Sequence, residues 1–296
     1  MKILVYGSLN IDLIFSLDHI VKPGETIAST SLEKSAGGKG ANQAAALAKA
    51  GMEVYMAGKM GEDGCFILEL LKSYRVNTDK VAIYPGVTGQ ALIQLDKSGQ
   101  NSIILYAGGN GQIQQSEITG ILETFDSEDI VLLQNEIPHI GTIIDKAKER
   151  GMKVYLNPSP YDEKIEKLPL KKVDLFLVNE IEAAALASLE QETPSQLILN
   201  KLTEKFPNAE IILTAGKNGA YYGSGKIREK GEIIECPVVD TTGAGDTFTG
   251  YYIAARAKKY SVSEALSLAC KAASIAVSRK GAMQAMPLWD EVFQDT

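Results

Sequence analysis

Short apolar runs recur along the chain and predict the strands of a sheet. They occupy residues 2–7, 53–58, 129–134, 153–157, 174–178 and 210–214. Each run is almost continuously apolar, which is typical of strands that are buried on both faces. Segments of helical character lie between or after these runs, at residues 41–50, 62–74, 140–150, 181–189, 195–205, 244–259 and 263–279. This alternation predicts an α/β fold in which helices sandwich a mainly parallel sheet.

Two stretches, residues 11–35 and 88–109, interrupt this alternation. The second reads "TGQALIQLDKSGQNSIILYAGG", two extended runs joined by "DKSGQ", which indicates a β-hairpin. The first also lacks a helical period. Together they predict a small second sheet beside the main one. The pattern alone leaves open whether this sheet is a lid over a site or a pair of hairpins without such a role.

Composition and charge exclude several classes of protein. The 296 residues are 45% hydrophobic and 23% charged, as in globular proteins, and the formal net charge of −7 argues against nucleic acid as a partner. No apolar run approaches the ~20 residues that a bilayer requires. The three cysteines have no CxxC spacing, and with two histidines in the chain they suggest neither a disulfide framework nor a zinc site. We therefore expect a cytoplasmic protein that binds no membrane.

Polar residues follow most of the predicted strands. In open α/β sheets, ligands bind beyond the carboxyl ends of the strands. Any one such residue is ordinary loop composition, but together they predict a polar, acidic cleft suited to hydroxyl groups and a hydrated cation. The set is Asn10, Asp12, Glu136, Asn157, Asn179, Glu182, Thr214 and Gly216.

The glycine-rich segments do not match the common nucleotide motifs. A P-loop requires Ser or Thr after Gly-Lys, and none of the four Gly-Lys pairs is followed by either. The GxGxxG fingerprint of dinucleotide-binding enzymes does not follow the first strand. A nicotinamide or flavin dehydrogenase is therefore disfavoured.

Two other glycine clusters, "SAGGKGANQAAALAKAG" (35–51) and "DTTGAGDTFTG" (240–250), each run directly into a predicted helix. Free amides at a helix start bind anions, so the amides of Gly243, Ala244 and Gly245 are candidates to hold a γ-phosphate. Asp246 would then be the base for the attacking hydroxyl. The alternative is a tight helix entry in which Asp246 is only a favourable first-turn charge.

Six motifs carry a resemblance to a known family. They are "GSLNID" (7–12), "GGKGANQAA" (37–45), "NEIE" (179–182), "TAGKNGA" (214–220), "DTTGAGDTF" (240–248) and "AVSRKGA" (276–282). The chain resembles the ribokinase family of sugar and nucleoside kinases over essentially its whole length. The resemblance implies one Rossmann-like α/β domain, residues 1–296, in which the stretches 11–35 and 88–109 form a β-sheet lid that often joins two subunits of a homodimer. It also implies transfer of the γ-phosphate of ATP to the 5-hydroxyl of D-ribose.

The resemblance further implies roles for individual residues. Asp246 is the implied catalytic base, with Gly243, Ala244 and Gly245 as the anion hole. The sugar is implied to contact Asn10, Asp12, Gly38, Lys39, Asn42 and Glu136. ATP is implied to contact Asn179, Thr214, Gly216, Gly219, Gly245 and Cys270, and Asn179 with Glu182 to orient Mg²⁺ through waters. A K⁺ site is implied at Asp240, Thr242, Ala276, Arg279, Gly281 and Ala285.

Two positions depart from the family pattern. Ala285 stands where a serine usually contributes an oxygen to the K⁺ site, and Cys270 stands where Asn or His usually contacts adenine. K⁺ dependence and nucleotide preference therefore stay open.

Other acceptors and one other class of protein also remain open. The acceptor could be 2-deoxyribose, fructose or adenosine, although the complete set of ribose-contact matches favours ribose. A non-catalytic sugar or nucleotide sensor on the same fold would be expected to have lost Asp246, the glycines that precede it, or the Asn and Glu of the motif "NEIE" (179–182). All of these are present.

Overall fold

Strand β1 (Ile3–Tyr6) shows how the core is organised. Ile3 and Val5 belong to one cluster of buried apolar residues, whereas Leu4 and Tyr6 belong to another. Because successive side chains of a strand point to opposite faces, the two clusters lie on opposite faces of the sheet. All four residues are at most 1% exposed, so both faces of the sheet are covered here.

The computed structural model describes residues 1–293, and in this part of the chain the main sheet has nine strands. In order across the sheet they are β13 (Ile227–Gly231), β12 (Ala220–Ser224), β11 (Glu210–Thr214), β10 (Leu175–Asn179), β9 (Lys153–Asn157), β8 (Ile130–Gln134), β1, β4 (Val54–Met60) and β5 (Asn77–Ile83). The pairs β11–β12 and β12–β13 are antiparallel and the other pairs are parallel. The sheet is therefore mainly parallel, as the sequence predicts.

Helices cover both faces. On the face of Ile3 and Val5 lie α1 (Lys39–Lys49), α2 (Cys65–Ser73), α7 (Ala244–Ala257) and α8 (Val262–Val277). On the face of Leu4 and Tyr6 lie α3 (Gln115–Leu122), α4 (Ile140–Glu149), α5 (Glu180–Ala187) and α6 (Ser195–Lys205). Within residues 1–293, no helix has the length and apolar character needed to cross a membrane.

A second, four-stranded sheet is built from the two stretches that interrupt the alternation. Its order is β3 (Ser31–Gly37), β2 (Asn10–Leu17), β6 (Gly89–Asp96) and β7 (Asn101–Tyr106). Strands β2 and β6 are parallel, and the two outer pairs are antiparallel. The small second sheet is confirmed. However, Asn10 and Asp12 lie within β2 and not in a loop after β1, because the chain re-enters an extended conformation only three residues after β1 ends.

The sequence pattern missed four elements, β5, α3, β12 and β13. Strands β5 and β13 are the edges of the main sheet, so several of their residues are exposed and polar and form no apolar run. Helix α3 has only eight residues, with two of them buried. Elements with little buried apolar surface leave a weak periodic signal.

Candidate active site

Helix α7 begins with a turn that points backbone amides into a cavity. Gly243 precedes the helix with φ 74°, in the left-handed region that favours glycine. Within residues 1–293 the amides of Gly243 and Gly245 have no hydrogen-bond acceptor, whereas Ala244 N donates to Thr241 O at 3.2 Å. A Cβ added to Gly245 would meet no atom within 4 Å. Free amides at the positive end of the helix dipole form a site for an anion.

Asp246 lies in the first turn of α7, directly after these amides. Its side chain is buried, and Asn42 Nδ2 donates to its Oδ2 at 3.0 Å. Gln43 Nε2 donates to Oδ1 at 2.9 Å. Burial raises the pKa of Asp246, although Lys39 and the two amide donors act in the opposite direction. The result is an oriented carboxylate with a high affinity for a proton, as a general base requires.

Helix α1 begins at Lys39, immediately after Gly38, and its first amides are already paired. Lys39 N donates to Glu136 Oε2 at 3.1 Å, and Gly40 N donates to Ser8 Oγ at 3.2 Å. The glycine cluster at 35–51 therefore differs from the cluster at α7, because protein oxygens use the amides that the sequence suggested for an anion. This cluster instead fixes the start of α1, which carries Lys39 and Asn42.

Three acidic groups surround the Lys39 side chain. Burial acts to lower the pKa of Lys39, but the carboxylates, with Asp246 and Glu136 foremost, raise it above its ordinary value. Lys39 is therefore a cation in a predominantly anionic site. Burial also raises the pKa of Glu136, although Lys39 and the Ser8 hydroxyl, which donates to Glu136 Oε2, oppose this effect.

Asp12 lies on β2 beside this group and is 8% exposed. Burial, followed by the neighbouring charges of Glu136 and Asp246, raises the pKa of Asp12 from 3.8 to about 7. Space for the carboxylate exists because residue 37 has no side chain, since a Cβ there would lie 2.1 Å from Asp12 Oδ2. The site thus holds a carboxyl group that binds a proton more tightly than it does in water.

Asn10 and Glu136 line a cavity of about 540 Å³ beneath the end of β7. Asn110, which the sequence analysis did not identify, donates from Nδ2 to Asn10 Oδ1 at 2.7 Å and accepts from Leu9 N at 2.9 Å. Asn42 Oδ1 is buried and has no hydrogen-bond partner within residues 1–293, so its capacity to accept a hydrogen bond is unused in this structure. Of the implied sugar contacts, Asn10 and Glu136 line this cavity, whereas Lys39 and Asp246 line the neighbouring cavity at the start of α7.

A further cavity, of about 260 Å³, extends from the start of α7 to strands β9, β10 and β11. It is lined by Lys39, Asn157, Ser159, Asn179, Glu182, Thr214 and residues 243–246, among others. Asn179 and Glu182 form a capping box at the start of α5, in which Asn179 Oδ1 accepts from Glu182 N at 2.9 Å. Asn179 N and Nδ2 donate to Glu182 Oε2 and Oε1 at 3.1 and 3.0 Å. The two side chains therefore hold each other at the cavity wall.

These side chains fit Mg²⁺ by the chemistry of their donor atoms. Asn179 and Glu182 offer oxygen, which Mg²⁺ prefers. Among residues 1–293, no group of three or more His, Cys, Asp or Glu could hold a metal ion by itself. Such a site suits a cation that keeps several waters and is shared with substrate phosphates.

The largest of these cavities, about 630 Å³, also reaches the start of α7 and shares Thr214, Thr241, Ala244 and Gly245 with its neighbour. Gly216 and Gly219 belong to the turn after β11, which is closed by Ala215 N donating to Gly219 O at 2.8 Å. Cys270 on α8 lines the opposite wall. Burial raises the pKa of its thiol to about 11, so Cys270 is a neutral, weakly polar wall residue.

The implied K⁺ ligands are brought together in part. Asp240 Oδ1 accepts from Thr242 N and Oγ1 at 2.9 and 2.7 Å, and Asp240 Oδ2 accepts from Gly281 N at 2.9 Å. Burial acts to raise the pKa of Asp240, but these hydrogen bonds hold it below its ordinary value. The Arg279 side chain is directed elsewhere, since it forms a 2.6 Å ion pair with Glu291.

The remaining two K⁺ candidates contribute no side-chain oxygen. Ala276 O accepts from Arg279 N at 3.1 Å, and Ala285 N donates to Ala282 O at 3.1 Å. Ala285 is 1% exposed. The donor set around Asp240 is rich in oxygen, as a hard cation requires, but it lacks the hydroxyl that a serine at position 285 would add.

Sequence reasoning missed four polar residues that support these groups, namely Ser8, Gln43, Asn110 and Gln134. Ser8 and Gln43 lie inside the motifs quoted above, and Gln134 is the single polar residue in the run "IVLLQ". A polar residue in a buried strand is a usable signal, since it must find a partner. Asn110 follows a loop of glycines and has no such signal.

Residues 1–289 match the family described as pfkB family carbohydrate kinase. The chain is 34% identical to ribokinase of Lactococcus lactis subsp. lactis over 297 positions, which cover 98% of this chain and 95% of that protein. Its fold is similar to that of ribokinase from Cryptococcus neoformans var. grubii in complex with ADP, with a TM-score of 0.89, 36% identity, and coverage of 100% and 99% of the two chains. It is also similar to Arabidopsis thaliana ribokinase complexed with ribose and ATP, with a TM-score of 0.86, 33% identity, and coverage of 99% and 97%.

Proposed function

Since the chain belongs to the pfkB family of carbohydrate kinases, we propose that it transfers the γ-phosphate of ATP to the 5-hydroxyl of D-ribose. The family indicated by the sequence motifs is thereby confirmed. One observation carries the chemistry, which is that the buried Asp246 follows directly after the free amides of the α7 start. The base and the anion site are thus built on the same helical turn.

The reaction follows from this arrangement. Asp246 accepts the proton of the 5-hydroxyl as that oxygen attacks the γ-phosphorus, and the bond between γ-phosphorus and the bridging oxygen of ADP breaks. The amides of Gly243 and Gly245 stabilise negative charge on the transferred group, with Ala244 reorienting its amide from Thr241 to join them. Lys39, a cation between these carboxylates, lies at the same cavity and adds a positive charge near the phosphate.

We propose that ribose binds between β2 and the start of α1. The polyol pairs with the carboxylates of Asp12 and Glu136 and with the amides of Asn10 and Asn42, all of which are donors or acceptors with fixed direction. Because Gly38 has no side chain, the sugar can approach its backbone closely. The coupled acidic groups explain why a neutral, hydroxyl-rich acceptor suits the site better than an anionic one.

ATP is proposed to occupy the two adjoining cavities of about 260 and 630 Å³. The triphosphate would lie near Asn179 and Glu182, and the base would lie against Thr214, the Gly216–Gly219 turn and Cys270. Mg²⁺, oriented through waters by Asn179 and Glu182, neutralises phosphate charge when bound. Cys270 stands where a stronger hydrogen-bonding side chain is usual, so it would contribute less to the selection of the purine base. K⁺, where it binds, is held near Asp240, Thr242 and Gly281.

Dependence on ATP supports a cytoplasmic location.

The second sheet is proposed to act as a lid over the sugar, built from residues 11–35 and 88–109 of one domain. Leu105 and Tyr106 at the end of β7 line the cavity that contains Asn10 and Glu136. Exclusion of water by a lid would suppress hydrolysis of ATP.

We propose that a second copy of the chain covers the lid in a homodimer. Strand β7 is an edge strand whose apolar residues are more than half exposed, including Ile103 at 51% and Ile104 at 58%. An uncovered apolar edge of this kind favours association.

The function is tested by ADP release from MgATP with ribose, 2-deoxyribose, fructose, adenosine or no acceptor. Ribose-dependent turnover that is lost in Asp246→Asn supports the proposal. Turnover with another acceptor and none with ribose would support phosphoryl transfer from ATP but would show that ribose is not the acceptor. Binding of ATP and ribose without turnover would support a sensor instead.

A further inference from the structure

Two buried glutamines connect Asp246 to the middle of the main sheet. Gln43 Nε2 on α1 donates to Asp246 Oδ1 at 2.9 Å, and Gln134 Nε2 at the end of β8 donates to Gln43 Oε1 at 2.6 Å. Both glutamines are 0% exposed. Neither therefore reaches a substrate, and any contribution that they make to the reaction passes through Asp246.

The orientation of each amide in this chain determines whether Asp246 receives a hydrogen bond. A glutamine amide has one donor end and one acceptor end, so it can face a carboxylate favourably in only one orientation. Because Gln134 donates to Gln43 Oε1, the Nε2 end of Gln43 must face Asp246. In the reverse orientation Gln43 Oε1 would face Asp246 Oδ1, and two acceptors would oppose each other. Gln134 thus fixes the orientation of Gln43.

The orientation of Gln134 leaves one of its own polar atoms without a hydrogen bond. Its Oε1 is buried without a hydrogen-bond partner within residues 1–293. An unpaired buried acceptor is unfavourable, so packing alone does not explain why a glutamine occupies this position. The end of Gln134 that is paired is the end that supports Gln43.

We propose that Gln43 and Gln134 are positioning residues for the phosphoryl transfer, which keep the Asp246 carboxylate ionised and fixed while its remaining lone pairs face the acceptor hydroxyl. This inference rests on the proposed function, in which Asp246 is the base. Gln43 supplies the neutral hydrogen bond, and Gln134 ensures that its donor end is presented.

The surrounding charges explain why neutral donors are needed. Asp246 is faced by Lys39 on α1, by Asp12 on β2 and by Glu136 after β8. The charge of Lys39 is shared among Asp246, Glu136 and Glu182. Burial raises the pKa of Asp246. Hydrogen bonds from Asn42 and Gln43 oppose that rise without adding charge. Removing the Gln43 donor should therefore raise the pKa of Asp246.

Three variants test the chain. Gln43→Met removes the donor with nearly the same side-chain length, and Gln134→Met removes the group that orients it. Gln134→Glu replaces that donor by an acceptor and should turn the Gln43 amide over. Gln196→Met makes the same chemical change on the exposed surface of α6 and is the control. Circular dichroism and thermal unfolding establish that each variant is folded.

The direct readout is the ¹³C-carboxyl titration of Asp246 in the ligand-free protein, assigned by its disappearance in Asp246→Asn. We expect the midpoint to move to higher pH in Gln43→Met and Gln134→Glu, to move less in Gln134→Met, and to stay unchanged in Gln196→Met. Titration of Gln43→Met that superimposes on that of the wild-type protein would overturn the inference. If Gln43→Met does not fold, the Gln134 variants decide the question in the same way.

The second readout is the pH profile of kcat with ribose and MgATP. In Gln43→Met we expect kcat at pH 7 to fall about tenfold to a hundredfold, with KM for ribose changed less than about twofold, and partial recovery at higher pH. A loss that does not depend on pH would indicate a structural role and would overturn the inference. Absence of turnover in the wild-type protein would instead reject the proposed function, and the carboxyl titration would still decide whether the amides act on Asp246.

Discussion

Asn42 precedes Asp246 by 204 positions, yet its Nδ2 donates to Asp246 Oδ2 at 3.0 Å. The contact joins the first turns of α1 and α7, the two helices that follow the two glycine clusters. One cluster presents free amides, and the other fixes a helix that holds the carboxylate beside them. The two motifs thus have different purposes at one site.

Asp246→Asn should fold but lose turnover by about a thousandfold or more. Asparagine keeps the size of the side chain but cannot accept the proton of the acceptor hydroxyl. The rate is measured as ADP release at saturating ribose and MgATP, and calorimetric titration with ATP shows whether binding survives. More than about a tenth of the wild-type rate in this variant would refute the assignment of Asp246 as the base.

Asp12→Asn should stabilise the protein at pH 8 while weakening its binding of ribose. The pKa of Asp12 is raised from 3.8 to about 7, so the folded protein binds this proton more tightly than the unfolded chain does. The tighter binding of this proton contributes to the free energy of unfolding. That contribution is fully present below pH 4 and is lost as the pH rises towards and through 7. Asparagine does not titrate. Relative to pH 4, the free energy of unfolding of the variant at pH 8 should therefore exceed that of the wild-type protein by on the order of 4 kcal/mol.

Thermal unfolding of both proteins at pH 4, 6 and 8 measures this effect. The difference in Tm between variant and wild type should widen with pH, and KM for ribose should rise. Differences in Tm that are equal at all three pH values would contradict the predicted behaviour of Asp12.

Glu182→Gln should raise the Mg²⁺ concentration needed for half-maximal activity by about tenfold. Glutamine at this position can still complete the capping box of α5, so stability should change little. The loss of negative charge, however, weakens the orientation of hydrated Mg²⁺. Activity is measured against free Mg²⁺ at fixed ATP. The control is Glu180→Gln, two positions earlier on the same helix. Equal Mg²⁺ dependence in the two variants would argue against a role for Glu182.

The architecture was predictable because its signal lies in buried apolar runs. Strand β8 and helix α7 carry long stretches that must be covered, and the runs locate them within a residue or two. Strands β5 and β13 lie at the edges of the sheet and bury fewer residues, so tertiary pairing and not local pattern decides that they are extended.

The site was predictable where a residue lies inside a motif and unpredictable where only the fold brings residues together. Asp246 and Asn42 were identified from their motifs, but the hydrogen bond between them depends on how α1 packs on α7. The role of Gln134 depends on two further contacts, that of Gln134 with Gln43 across 91 positions of sequence and that of Gln43 with Asp246 across 203. The pairing of the α1 amides with Glu136 and Ser8 likewise depends on long-range packing that no local pattern contains.

Ile104→Lys should weaken a homodimer formed through the lid. The side chain is 58% exposed on the edge strand β7, so a charge there costs the isolated subunit little but is unfavourable within an apolar interface. Light scattering after size-exclusion chromatography measures the mass, which should fall from that of two chains to that of one, with Leu197→Lys on α6 as the control. A wild-type protein that elutes as one chain at all concentrations would contradict the proposed dimer.

Ala285→Ser should increase activation by K⁺. Ala285 is buried and carries a methyl group, whereas serine would add one hydroxyl oxygen to a donor set that already includes the ionised Asp240. Because K⁺ affinity grows with the number of oxygen ligands, the K⁺ concentration for half-maximal activation should fall several-fold. Activity is measured against KCl with choline chloride holding the ionic strength constant. If wild type and Ala285→Ser respond to K⁺ identically, residue 285 does not contribute to the cation site, and the departure at this position has no bearing on K⁺ dependence.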